Sequence, residues 1–117
     1  MATDPDCIFC KIVAGEIPSE KVHDDGILTA FRDINPAAPT HILIIPNKHI
    51  PNNNAFEPED EPLAGKMFTL VRQLAEKEGI TESGYRLIMN TGPNGRQEVF
   101  HMHLHLMGGA PMKYPMG

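Results

Sequence analysis

Val99-Phe100-His101-Met102-His103-Leu104-His105-Leu106-Met107 is the stretch that decides how this chain is read. Alternation at period two sets His101, His103 and His105 on one face of a strand, and Phe100, Met102, Leu104 and Leu106 on the other. Packing explains the apolar set but gives no reason to line the opposite face with three imidazoles. An affinity tag would be consecutive and terminal, and this run is neither. Spacing alone leaves two readings open. Alternating histidines can present their nitrogens to one zinc ion. Alternatively, one neutral imidazole attacks a phosphorus while its neighbours donate to the phosphate and protonate a leaving amine, since a histidine pKa of about 6.5 permits both states near neutrality.

Working outward from this run, the elements alternate in an α+β order. Ile8, Phe9, Ile12 and Val13 recur at helical spacing before Gly15, predicting a short helix over Asp6–Ala14. Lys21–Asp24 and Ile27–Arg32 read as strands joined at Asp25-Gly26, a hairpin signal. Asn35–Thr40 carries two prolines and reads as a loop. His41–Ile45 is a central strand stopped by Pro46, and Pro51–Asn54 is loop. From Glu59 to Gly79, Leu63, Met67, Leu70, Val71, Leu74 and Ala75 share one helical face. Lys66, Arg72, Gln73 and Lys77 point away, and Glu59, Asp60 and Glu61 favour the N-terminus. Tyr85–Met89 and Gln97–Met107 complete about five strands in an antiparallel sheet, separated by the turn-rich Asn90–Gly95. The main helix is expected to cover one sheet face.

The 117 residues suit one domain, and 41% hydrophobic with 21% charged residues are globular proportions. A chain this short buries a smaller fraction of its surface than a larger domain would, so oligomerisation or a metal is a plausible aid to stability. The formal net charge of -5 argues against a nucleic acid partner, while a local pocket can still oppose the global field for a small anion. Met1–Asp6 holds two acids and no basic run, unlike a signal peptide, and no apolar run approaches membrane-spanning length. The expected compartment is the cytoplasm, with no membrane partner. Cys7 and Cys10, three apart, then read as metal-binding or redox-active before they read as a structural disulfide.

His101-Met102-His103-Leu104-His105-Leu106-Met107 matches His-φ-His-φ-His-φ-φ, φ being apolar, the signature of the histidine-triad family, which the sequence resembles. Ile8-Phe9-Cys10-Lys11-Ile12, Ala30–Pro36, Pro39–Pro46 and Gly108-Gly109 look like its Hint branch, the small nucleoside phosphoramidases. The resemblance implies a histidine-triad fold in a two-fold dimer that pairs main helices and last strands, with a C-terminal tail over 113–117 reaching the partner's site. It implies hydrolysis of the phosphorus–nitrogen bond of purine nucleoside 5′-phosphoramidates, aminoacyl-adenylate-like compounds included, through a covalent nucleotidyl-histidine. His103 matches the nucleophile. His101 would orient it through its backbone carbonyl, His105 would bond the phosphate and leaving atom, and His41 would support the triad from behind.

For the nucleotide, the resemblance implies Asp33 on the ribose hydroxyls, a residue that otherwise reads as a turn former. Phe31 and Ile34 would sandwich the base with Phe9 nearby, positions that would otherwise be core. Asn90 and the loop carrying Gly95, Gln97 and Val99 would meet the phosphate. Two departures stand out: Arg96 where many relatives have glycine, and Glu98 where a small hydroxyl residue is common. No cofactor is required for the chemistry. Some relatives hold a structural zinc on residues matching Cys7, Cys10, His49 and His101, others work without metal, and the cysteine pair is then core. Two rival functions stay open: dinucleoside polyphosphate hydrolysis, and a zinc-stabilised nucleotide-binding adaptor.

Overall fold

Residues 4–113 are described by a computed structural model. The short helix α1 spans Ile8–Val13, capped by the Cys7 side chain, whose sulfur accepts from the Cys10 amide. The strands are β1 Lys21–Asp24, β2 Leu28–Arg32, β3 Thr40–Pro46, β4 Tyr85–Ile88 and β5 Leu104–Gly108. The main helix α2, Glu61–Glu78, crosses between β3 and β4. All pairings are antiparallel, in the order β1-β2-β3-β5-β4. Among the described residues no helix is long and apolar enough to cross a membrane.

Strand alternation divides the core in two. Leu28, Ala30, Ile42, Ile44, Leu104 and Leu106 face α2, meeting Met67, Leu70, Val71, Leu74 and Ala75. Burial of each such Leu or Val contributes about 1.5–3 kcal/mol as an upper bound, which dominates a helix whose propensity alone would leave it marginal. The opposite sheet face carries Phe31, Leu43 and Ile45 against Phe9, Cys10 and Ile12 of α1. His41 and His105 belong to this second face because they alternate with Ile42 and Leu104. Arg32 clamps the end of β2 to the end of α2 through a two-pronged contact with Glu78 at 2.8 and 3.0 Å.

Two sequence expectations change. The last strand was expected over Gln97–Met107, but its ladder begins only at Leu104, opposite Ile44. Two pairs further along, the partner is Pro46, which has no amide to donate. Instead the Met102 amide bonds the Ile50 carbonyl and the His101 ring bonds the Pro46 carbonyl. α2 begins at Glu61 rather than Glu59, preceded by a 3-10 turn over Pro58–Asp60. Buried Asp60 does not cap α2; its carboxylate accepts from the Glu57 amide and pairs with Lys48 at 2.6 Å. In the sheet, β5 lies between β3 and β4, so both its edges are occupied and the open edge on that side is β4. Of the expected tail, residues 114–117 lie outside the described residues.

Candidate active site

His101, His103 and His105 lie on one side of the backbone although only His105 is in the ladder. The rings of His103 and His105 are 4.9 Å apart, and Phe9 meets His101 and His103 edge-on at 6.0 and 5.2 Å. Extended backbone keeps the period-two facing even where pairing stops.

Partners with a single hydrogen-bonding role set each ring's tautomer. The His101 carbonyl lies 2.7 Å from His103 Nδ1 and can only accept, so Nδ1 carries the proton and Nε2 keeps a free lone pair. The Ala37 amide can only donate, and it reaches His41 Nδ1 at 3.0 Å. His41 therefore holds its proton on Nε2 and donates to His105 Nδ1 at 2.9 Å. That leaves the proton of neutral His105 on Nε2. Burial pushes His103 below its ordinary pKa. It pushes His105 down to about 4, with His103 and His41 acting in the same direction. The result is one imidazole ready to attack and a neighbour ready to donate.

A cavity of about 980 Å³ opens in front of His103 and His105, at the upper end for small-molecule sites. Phe9, Phe31, Ile34 and Leu43 line its apolar part, and Asp33, Asn90 and Val99 also border it. Phe31 packs edge-on against Phe9 at 5.4 Å, while Ile34 is 92% exposed at the mouth. Asp33 uses one oxygen to accept from the Asn35 amide at 2.8 Å, and the other lies 3.5 Å from His41 Nε2. It is thus a turn residue and a cavity residue at once. Ser19, also on the lining, has a buried hydroxyl without a partner among the described residues.

Gln97 sits behind the wall rather than on it. Its amide bonds the Pro51 and Val99 carbonyls, the Gly92 amide and Asn52, which fastens the loop. Asn90 donates to the Gly95 carbonyl at 2.7 Å. A side chain at Gly95 would put its first carbon 2.5 Å from the Thr91 carbonyl, so only glycine allows this close approach. The backbone groups of Ala37 and Pro46 were not legible as site residues, because a main-chain donor or acceptor leaves no mark in residue type.

Among the described residues, two clusters carry metal-ligating side chains. Cys7, Cys10, His49 and His101 bring their ligand atoms within 4.8 Å of one another. His101 Nδ1 lies 3.3 Å from Cys7 Sγ, 3.6 Å from Cys10 Sγ and 3.3 Å from His49 Nδ1, and Cys10 Sγ is 3.4 Å from His49 Nδ1. A zinc tetrahedron with two sulfurs and two nitrogens has nitrogen–nitrogen and nitrogen–sulfur edges of about 3.3–3.6 Å. His101 Nε2 donates to the Pro46 carbonyl at 2.7 Å, which leaves the Nδ1 lone pair facing the cysteines. These residues fit the ion. Asp33, His41 and His105 form the second cluster. Here His41 would have to give up its Nε2 proton while the Ala37 amide still occupies Nδ1, so the group is a poor metal site.

An imidazole with a free lone pair, a ring N–H donor beside it and a cavity in front of both, on an antiparallel sheet, are the parts a histidine-based hydrolase needs. The chain belongs to the HIT family: the HIT domain profile matches residues 14–112. It is 57% identical over 105 residues, 90% of this chain and 88% of the relative, to a protein of Escherichia coli strain K12 named purine nucleoside phosphoramidase. Among solved structures it resembles a HIT family hydrolase from Legionella pneumophila, with TM-score 0.92 and 49% identity over 96% of this chain and all of that one. A histidine triad protein from Clostridium difficile gives TM-score 0.93 at 38% identity, covering 97% and 99% of the two chains.

Proposed function

We propose that this protein hydrolyses the phosphorus–nitrogen bond of purine nucleoside 5′-phosphoramidates through a covalent nucleotidyl-His103. The observation that carries this reading is the 2.7 Å bond from His103 Nδ1 to the His101 carbonyl, which leaves Nε2 free to attack. In the first step a bond forms from Nε2 to phosphorus, the bond to the amine breaks, and the His105 Nε2 proton goes to the departing amine, the negative charge left on the His41–His105 pair being offset by the positive charge gained by the nucleotidylated His103 ring. Water then attacks phosphorus, giving one proton back to His105 Nε2 as the bond to His103 breaks, and the 5′-monophosphate is released. His41 holds His105 in the donating tautomer. Phe9, Phe31 and Ile34 take the base, Asp33 the ribose, and the Asn90–Val99 loop, organised by Gly95 and Gln97, borders the phosphate.

The name of the E. coli relative supports the phosphoramidate over a dinucleoside polyphosphate. Turnover of adenosine 5′-phosphoramidate is expected to exceed that of a diadenosine polyphosphate by about a hundredfold or more in kcat/KM; the reverse order would sink the reading. Asp33→Ala is expected to raise KM about tenfold while changing kcat much less, because the ribose lies away from the reacting phosphorus. An unchanged KM with a lower melting temperature would make Asp33 a turn residue alone.

Cys7, Cys10, His49 and His101 would hold a structural zinc, which would supply cross-linking of α1 to the histidine segment and no step of the reaction. The protein is proposed to be a two-fold dimer, a reading supported by Phe68 on α2 and Phe100 before β5, 60% and 55% exposed. Light scattering at micromolar concentration should give twice 12.9 kDa; a fully active monomer would reject the dimer.

A further inference from the structure

Five charged side chains line the cavity, and three of them are already committed. Arg32 is held by Glu20 and Glu78, at 2.9 Å and at 2.8 and 3.0 Å. Glu20 is thereby occupied, and Asp33 is tied to the Asn35 amide and His41. Arg96 and Glu98 pair with no described residue, although both border the cavity that His103 and His105 line.

Their position follows from the sheet register. Ile88 lies opposite His105, so the chain leaving β4 runs alongside the His103 segment, with Asn90 two residues on. Asn90 binds the Gly95 carbonyl, which anchors the following residue, Arg96, at that end of the cavity. Buried Gln97 also ties to the Val99 carbonyl, and Glu98 between them is exposed on the cavity wall. Arg96 has φ of 61°, a left-handed backbone state that a non-glycine residue occupies only at a cost. A side chain kept at that cost in a cavity wall, with no partner among the described residues, is placed to work on a ligand.

We infer that Arg96 and Glu98 form the leaving-group subsite and select phosphoramidates whose departing amine carries an additional positive charge. This rests on the phosphoramidase reading above and names the substrate class within it. The Arg96 guanidinium opposes the phosphate charge. Glu98 attracts a cationic group on the amine and repels anionic leaving groups, further phosphates among them. A carboxylate beside a phosphate site is unfavourable in itself, and a cation on the departing group is what makes it useful.

The test compares three adenosine 5′-phosphoramidates of similar size, built on a diamine, a neutral alkylamine and an amine bearing a carboxylate. Wild type is expected to prefer the diamine derivative about tenfold in kcat/KM over the neutral one and to turn over the carboxylate least. Glu98→Gln should collapse the cationic preference, and Glu98→Lys should invert the order. Arg96→Gly relieves the backbone and removes the charge together, so raised KM values for all three substrates, with an unchanged or higher melting temperature, support a ligand role. The preference should also shrink with added salt. Equal kcat/KM for all three substrates in wild type, or an order untouched by Glu98→Lys, overturns the subsite and leaves phosphoramidate hydrolysis standing. No turnover of any of them overturns both readings.

Discussion

His103→Ala is expected to lower phosphoramidate turnover by about a thousandfold or more, which adds roughly 4 kcal/mol to the barrier. The covalent step cannot occur without Nε2, whereas the base and ribose contacts come from Phe9, Phe31, Ile34 and Asp33, so binding of adenosine monophosphate should survive. His103→Gly with added imidazole should regain part of the rate, because the free base can occupy the vacated space. Quenching wild-type turnover early, in base, should trap a nucleotidyl adduct on His103, since phosphorus–nitrogen bonds to histidine are acid-labile. His41→Ala and His105→Ala are expected to cost less, as these rings guide a proton without forming the bond. An adduct on another histidine, or a His103→Ala protein with most of its activity, would show that the wrong nucleophile has been named.

The second large effect concerns Cys7, Cys10, His49 and His101. Protein purified without added metal is expected to carry about one zinc per chain. Replacing both cysteines by serine should remove the zinc and lower the melting temperature by about 10 °C or more. The same change should also reach the reaction. Through its Nδ1, His101 belongs to the metal cluster, and through its carbonyl it orients His103. Phe9 lies between the two cysteines and touches the His103 ring. A moderate loss of kcat is therefore expected beside the stability loss, together with a shifted His103 ring signal in nuclear magnetic resonance. Metal-free wild-type protein with an undiminished melting temperature would remove zinc from the account.

The element order was legible because each element carries its own period. The α2 face and the continuous apolar Ile42–Ile45 strand are local patterns, and local patterns survive without knowledge of their partners. The ends of elements were less legible. β5 begins at Leu104 because its neighbour in the sheet runs into Pro46, a fact about a residue some 60 positions away. Asp60 looks like a helix-capping acid in sequence, and the fold gives it to Lys48 instead. Ile34 reads as core on its own and as a base contact only through the resemblance, and the three-dimensional arrangement puts it at an exposed cavity mouth.

The sequence by itself determined which residue types were available and which faced together. Three alternating imidazoles, an acid before Asn35-Pro36 and a cysteine pair in one short chain define a repertoire of chemistry, and period-two geometry aligns the imidazoles without any help from the fold. What each imidazole does was decided only by the tertiary structure. A histidine is a donor, an acceptor or a metal ligand according to which ring nitrogen holds the proton, and that is set by partners distant in sequence or by the main chain. The Pro46 carbonyl turns His101 towards the cysteines, the His101 carbonyl frees Nε2 of His103, and the Ala37 amide, acting through His41, leaves His105 to donate. Carbonyls and amides are the same in every residue, so their aim becomes visible only once the chain is folded.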